Sequence, residues 1–543
     1  MEADLLLVNG NVWRGGSQPE HQWTIAICGN RIAALGPDNQ MKDWRGPRTS
    51  VFDCRSRLVL PGFHDAHLHP LIGATDLLDC SLMGLKDWPS YQRHINTYLE
   101  RHPDASFVRG NGWVHGLFPA PGPHRQLLDS VIPDRPAYFK AMDGHSGWCN
   151  TAALRLAGIT RQTPNPPGGI IERDPTTGEP TGLLRKMPAM QLVTDLIPQA
   201  THAELLNAAD AFASQAARFG VTSVQDASGK SHFPAVYLEL ERSERLKTFR
   251  VTLVRRFSPG KGLGQLEESE TLRHAHHSPF FRFGPLKLFL DGVIEGETAY
   301  LLHDYSDRAG YRGEPVWDIA EWLEMIPRLA ERDWAVHVHA VGDAAVRLAL
   351  DGIAGARAAL PQAALRHQIA HADLISDADI PRFADLGVLA NLQPSWFARD
   401  SNYLGVTIPA IGNDRSEKLY RLRDLYNHRA DVAFSSDWPF GGDVTSFDPL
   451  IGIETGIRRI HPESHGDPLN PSQSATLTEM LTGFTLGAAR AVNREHELGA
   501  LRPGYLADLI VIEPDLFSVA PEEIHRSRVV LTVVDGSVIY RAD

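Results

Sequence analysis

The sequence predicts an α/β chain: a parallel (β/α)8 barrel, a small β-sandwich domain assembled from both termini, and a long insertion after the first barrel strand. Three observations carry that reading. The middle of the chain alternates short apolar runs with helical stretches, the pattern of parallel strands joined by crossover helices. The first sixty and last fifty residues both read as short strands separated by turns. Between about 76 and 200 the alternation stops, and Pro, Gly and Trp accumulate.

Taken in order, "DLLLVNGNVWRG", "TIAICGNRIAALG" and "SVFDCRSRLVLPG" are strand-like runs punctuated by Gly, Asn and Pro. The segment "VLPGFHDAHLH" follows as the first barrel strand. The insertion contains "GNGWVHGLFPAPGP" and "TPNPPGGIIERDPTTGEPTG". The spacing in "HAELLNAADAFASQAARFG" predicts a helix over 202–220 that stops at Gly220 and leads into the strand "VTSVQDAS". Six further strands follow: "FRVTLVRR", "FGPLKLFLDG", "WAVHVHAVGD", "RHQIAHADL", "VLANLQPS" and "DVAFSSDWP". Helical stretches between them include "IAEWLEMIPRLAERD", "AAVRLALDGIAGARAAL" and "DADIPRFADLG". The count is eight, that of a TIM barrel. The end of the chain returns to strands, "YLADLIVIE" and "VVLTVVDGSVIYR", the latter with a DG turn. The expected domains are 1–60 with 491–543 (sandwich), 61–75 with 201–490 (barrel), and 76–200 as an insertion covering the barrel mouth.

Bulk properties narrow the function. A formal net charge of −13 disfavours binding to a phosphate backbone, so nucleic acid is not expected and a small molecule is the expected partner. No apolar run is long enough for a membrane span. The start, "MEADLLLVNGNVWRGG", lacks a basic region and a signal-like cleavage site, so a cytoplasmic location is expected. Cys28, Cys54, Cys80 and Cys149 are scattered, which reads as reduced thiols.

Chemistry concentrates at the strand ends. In "GFHDAHLHP", His67 and His69 are two apart and share a face of a strand, as does Asp65. One such pair among 24 histidines is a weak signal. It gains weight from His337 and His339 in "AVHVHAVGD", His367 and His371 in "RHQIAHADL", and Asp437 in "AFSSDWP". In a TIM barrel, side chains at the C-terminal ends of strands converge on one face. Imidazoles and a carboxylate meeting there form a zinc-type ligand set, able to lower the pKa of bound water toward ~7. In "RFGPLKLFLDG", moreover, Lys287 sits in an apolar run where an ammonium is costly to desolvate.

An HxH after "PGF" on strand one, Lys on strand four, His on strands five and six, and Asp on strand eight together resemble the amidohydrolase superfamily. "DGHSGWCNTAAL", "HAVGD" and "SSDWP" resemble more narrowly its YtcJ-like branch, which includes N-substituted formamide deformylases. The resemblance implies two divalent metal ions, zinc by expectation. His67, His69 and Asp437 would bind the first, and His339 and His371 the second. Lys287, as the neutral amine, would be carboxylated by carbon dioxide and bridge both. It further implies a metal-bound hydroxide attacking the carbonyl of a small N-substituted amide or formamide, with Asp437 as general base and then general acid. A lactone or ester hydrolase is the alternative activity, and a catalytically silent binding protein on the same fold a third reading. A homodimer is expected from the resemblance.

Other residues carry two readings each. Asp65 reads as supporting a ligand histidine or the strand turn rather than binding metal itself, and Asp226 either supports a ligand or caps the next element. His337 and Asp291 either reach substrate or pack beside the ligands, and His367 reads as structural. In the insertion, His145 and Trp113 either contact substrate or anchor loops.

Overall fold

The computed structural model describes residues 2–542 except 84, 115, 116, 120, 121, 142–145, 167, 168, 186, 401, 402, 441–445, 463 and 465. Two compact units are present, residues 1–70 with 213–543 and residues 71–212.

The first unit contains eight parallel strands: β1 (Phe63–Leu68), β2 (Val221–Asp226), β3 (Arg250–Arg256), β4 (Phe281–Phe289), β5 (Val336–Ala340), β6 (Gln368–His371), β7 (Leu389–Leu392) and β8 (Val432–Phe434). They pair in chain order. Their side chains are almost all buried, as parallel strands covered by crossover helices require. Just past β8 the circle is joined to β1 by two backbone bonds, Asp437 N to His67 O (2.7 Å) and His69 N to Trp438 O (2.8 Å). Register sets the later geometry: Lys287 lies opposite His337, Phe289 opposite His339, and Ala340 opposite His371.

The crossover helices begin where local chemistry favours it. Asp318 accepts from Glu321 N (3.0 Å) to cap Ile319–Ala330, and Asp448 caps Pro449–Arg458. The helix expected over 202–220 spans His202–Phe219. Among the described residues no helix is long and apolar enough to cross a membrane.

Both termini supply one hydrogen-bonded sheet in the same unit. Leu5–Val12 pairs with Glu20–Cys28 on one side and, on the other, with Ser50–Asp53 and then Leu58–Pro61. Leu58–Pro61 in turn pairs antiparallel with Leu509–Glu513, followed by Arg528–Val534 and Ser537–Arg541. Arg250, at the start of β3, ties this sheet to the barrel. Its guanidinium, 2% exposed, donates to both oxygens of Asp508 (2.6 and 2.9 Å) and to Asp535 (2.8 Å). Removing one partner of a buried bidentate pair strands the other charge. Arg250→Ala is therefore expected to lower stability by about 3–5 kcal/mol, read from denaturant midpoints. Pairing Arg250→Met with Asp508→Leu should recover most of it, and a single-variant loss below ~1 kcal/mol would refute the assignment.

The second unit holds a folded core that composition alone did not reveal. Ile170–Arg173, Pro180–Arg185, Ser146–Cys149, Ala137–Ala141, Val108–Trp113 and Cys80–Ser81 form a six-stranded sheet in that order. Trp113, Trp148, Phe139 and Leu128 pack within its core. These strands are short and broken by glycines, so neither period emerged from the sequence.

Candidate active site

The ends of β1 and β8 bring three side chains together. One ligand atom from each of His67, His69 and Asp437 lies within 4.8 Å of the others, and all three residues are buried. Asp437 Oδ1 is 2.9 Å from His69 Nε2 and 3.2 Å from His67 Nε2. Lys287, 1% exposed on β4, places Nζ 3.1 Å from the same His67 nitrogen. From β5 and β6, the rings of His339 and His371 stand with centroids 4.4 Å apart, and His371 is 5.0 Å from His67. The chain turns sharply at two of these positions, with φ of +75° at His371 and +55° at Asp437. Non-glycine residues seldom adopt such angles, and they cluster at functional sites.

Neighbouring groups orient each ring. His67 Nδ1 is 2.8 Å from His337 Nε2, and His337 is bonded at its other nitrogen by Gln225. His69 Nδ1 meets Ser228 Oγ at 3.1 Å, and Asp226 accepts from Ser228 N (2.9 Å) and from the Tyr237 hydroxyl (2.7 Å). His339 Nε2 faces Gly292 O at 3.2 Å, leaving Nδ1 as its open nitrogen. His371 Nδ1 faces Gln393 Oε1 at 2.9 Å, leaving Nε2 open. Asp65 accepts from His67 N (3.2 Å) and Ser436 N (3.1 Å), bracing the two strand ends that carry the cluster. Supports of this kind hold ligand imidazoles in place.

Burial sets the protonation states. It drives His67 and His371 well below the usual imidazole range and His339 down to about 4, so the rings are neutral and present lone pairs. Burial also brings Lys287 down to about 7, against an opposing pull from Asp437. At Asp437 burial pushes upward, but the His69 bond and the electrostatic influence of the surrounding imidazoles and Lys287 outweigh it and hold the carboxyl below its ordinary value. Neutral imidazoles, an ionised carboxylate and an amine that loses its proton near neutrality are donors suited to divalent ions. The residues present fit such ions.

The remaining candidates have the following surroundings. His337 is fully buried, and both ring nitrogens are engaged. Asp291 accepts from Val341 N, Gly342 N and Tyr300 N (3.0, 2.8 and 2.9 Å), so its carboxylate shapes the loop after β5. A Cβ at Gly342 would lie 2.1 Å from Tyr300 O, so only glycine permits this approach. Trp113 is buried in the core of the second unit and donates to Phe139 O (2.8 Å). His367 accepts from Val336 N (3.2 Å) inside the barrel. His145 lies outside the described residues.

Gln225, Ser228, Gln393 and Trp396 were not foreseen. Trp396 stacks on His371 at 5.4 Å and 7°, and Phe440, 51% exposed, meets His69 edge-on at 5.0 Å. The polar ones carried no distinct sequence signal: Gln225 sits among Thr222, Ser223 and Asp226, and Gln393 beside Asn391 and Ser395.

A family model described as "Amidohydrolase family" matches residues 50–540. Similar proteins include a candidate amidohydrolase, YtcJ of Bacillus subtilis (strain 168), 27% identical over 97% of this chain and 99% of that protein. Another is the N-substituted formamide deformylase of Arthrobacter pascens, 27% identical over 99% of this chain and 98% of that protein. Among solved structures, an uncharacterized metal-dependent hydrolase from Pyrococcus furiosus superposes with a TM-score of 0.72. It is 24% identical, covering 93% of this chain and 98% of that one, and shares the fold.

Proposed function

The chain belongs to the amidohydrolase family, metal-dependent hydrolases of carbon–nitrogen bonds, and from that premise we propose that it cleaves a small N-substituted amide, with formamides as the leading class. The convergence of His67, His69 and Asp437, with the Lys287 amine 3.1 Å from His67, carries this reading. The likeness to a formamide deformylase over nearly the whole chain supports the substrate class.

His67, His69 and Asp437 would hold one divalent ion and His339 and His371 a second, zinc in both cases, with carboxylated Lys287 between them. When bound, such ions polarise a carbonyl and make water acidic enough to react at neutral pH. The chain's own part is positional and protonic. Asp437 accepts a proton as the water oxygen bonds to the carbonyl carbon. The same carboxyl then delivers that proton to the nitrogen as the carbon–nitrogen bond breaks, releasing amine and carboxylic acid. Trp396 and Phe440, packed against His371 and His69, favour an apolar or aromatic substituent.

A panel of N-substituted formamides, N-acyl amines, N-acyl amino acids, esters and lactones, offered to metal-replete protein, tests this. Amine release from a formamide or amide is the expected result, at higher kcat/KM than any ester. Turnover of esters or lactones alone would overturn it.

A further inference from the structure

TIM-barrel interiors are ordinarily filled by layers of branched apolar side chains. Beneath the histidines this barrel is polar instead: Gln368, Asn391, Gln393 and Ser435 each expose 1% or less of their surface. They are bonded in series. Asn391 Nδ2 donates to Ala66 O (2.8 Å) and to Gln368 Oε1 (3.2 Å). Ser435 Oγ donates to Asn391 Oδ1 (2.7 Å), with Leu392 O as a longer alternative at 3.3 Å. Gln393 Nε2 donates to Ser435 Oγ (2.9 Å) and Asn391 O (3.3 Å). Gln393 Oε1 then meets His371 Nδ1 at 2.9 Å.

Donor and acceptor counting leaves this series one direction. Ala66 O accepts only, so it must face the Asn391 NH2 group and not the amide oxygen. Gln368 is fixed likewise, because its Nε2 donates to Ala491 O (2.6 Å) and its oxygen faces Asn391. The Asn391 oxygen therefore points to Ser435, whose single proton is committed there or to Leu392 O. Ser435 has only lone pairs left for Gln393, so the Gln393 NH2 group faces Ser435 and its oxygen faces His371. An acceptor at that position requires a proton on His371 Nδ1 and leaves the lone pair on Nε2.

We propose that Asn391, Ser435 and Gln393 are positioning residues: anchored on the backbone carbonyl of Ala66, directly before His67 on β1, they fix the tautomer in which His371 can ligate through Nε2. The backbone of the strand carrying one half of the metal centre thereby prepares a ligand of the other half. This rests on the reading of His371 as a metal ligand.

The first test needs no metal and no activity. In apoprotein with 15N-labelled histidine, His371 is expected to show a protonated Nδ1 and an unprotonated Nε2; a proton on Nε2 would overturn the proposal. Cobalt(II) titration of apoprotein supplies the second. Gln393→Leu should weaken the second equivalent by about 10–100-fold, while Gln393→Glu, which still accepts from Nδ1, holds it near wild type. Ser435→Ala, a one-atom deletion, should fall between them with a mixed tautomer signal, and Ser435→Thr should restore both. Affinities for Gln393→Leu and Ser435→Ala within twofold of wild type would overturn the proposal. Wild-type protein that bound no second cobalt would instead refute the two-ion reading.

Discussion

Replacing Asp437 by Asn is expected to lower kcat by about 10²–10⁴-fold while the protein keeps its fold and most of its metal, since proton transfer by a positioned side chain accounts for rates of that order. The carboxamide is nearly isosteric, and its oxygen can still face His69, which now lies 2.9 Å from Asp437 Oδ1. What the variant loses is the ability to take up a proton and give it back. The carboxyl suits that task because the His69 hydrogen bond and the surrounding groups keep it ionised although it is buried. Steady-state kinetics with metal analysis of the same preparation check this. Unchanged turnover would remove Asp437 from the mechanism, and loss of all metal would make it chiefly a ligand.

Lys287→Ala is expected to retain one metal equivalent, not two, and to lose about 10²–10³-fold in activity, the scale of several kcal/mol of charge stabilisation. Carboxylation joins the amine nitrogen to the carbon of carbon dioxide and releases one N–H proton, so it needs the neutral amine. Burial supplies that form by bringing the group down to about 7. The sign follows: below pH 7 the ammonium predominates and cannot react, and above it the amine does. Reconstitution of apoprotein with metal and bicarbonate should accelerate as pH rises through 7 and level off beyond it. Removing the side chain also opens space in which acetate or propionate can place two oxygens, so short carboxylates should partly restore metal and activity to the variant. Full retention of both metal equivalents by Lys287→Ala would exclude the bridging role.

The eight barrel strands were legible because most are short runs rich in apolar residues and bounded by turn residues, and because a helix of matching period follows most of them. Lys287 was legible for the opposite reason: a cation inside such a run violates its surroundings and asks for a compensating partner. The series from Asn391 through Ser435 to Gln393 left almost no trace. Its members look like ordinary polar residues in "ANLQPS" and "AFSSDWP", and their meaning lies in bonds between strands some forty residues apart. The sheet within residues 71–212 was hidden differently, by strands too short for a period to register.

By itself the sequence determined the kind of fold, the strand ends where polar side chains gather, and the residue types available for metal chemistry, because periodicity and composition are local properties that survive without coordinates. Only the tertiary structure decided which nitrogen of each histidine is left open, that His337 and Asp291 hold neighbours in place, and how far Lys287 departs from an ordinary lysine. Those properties depend on desolvation and on partners brought within about 3 Å across the barrel, as His67 and Lys287 are across 220 residues of chain. No local pattern encodes them, since closure of the barrel creates them.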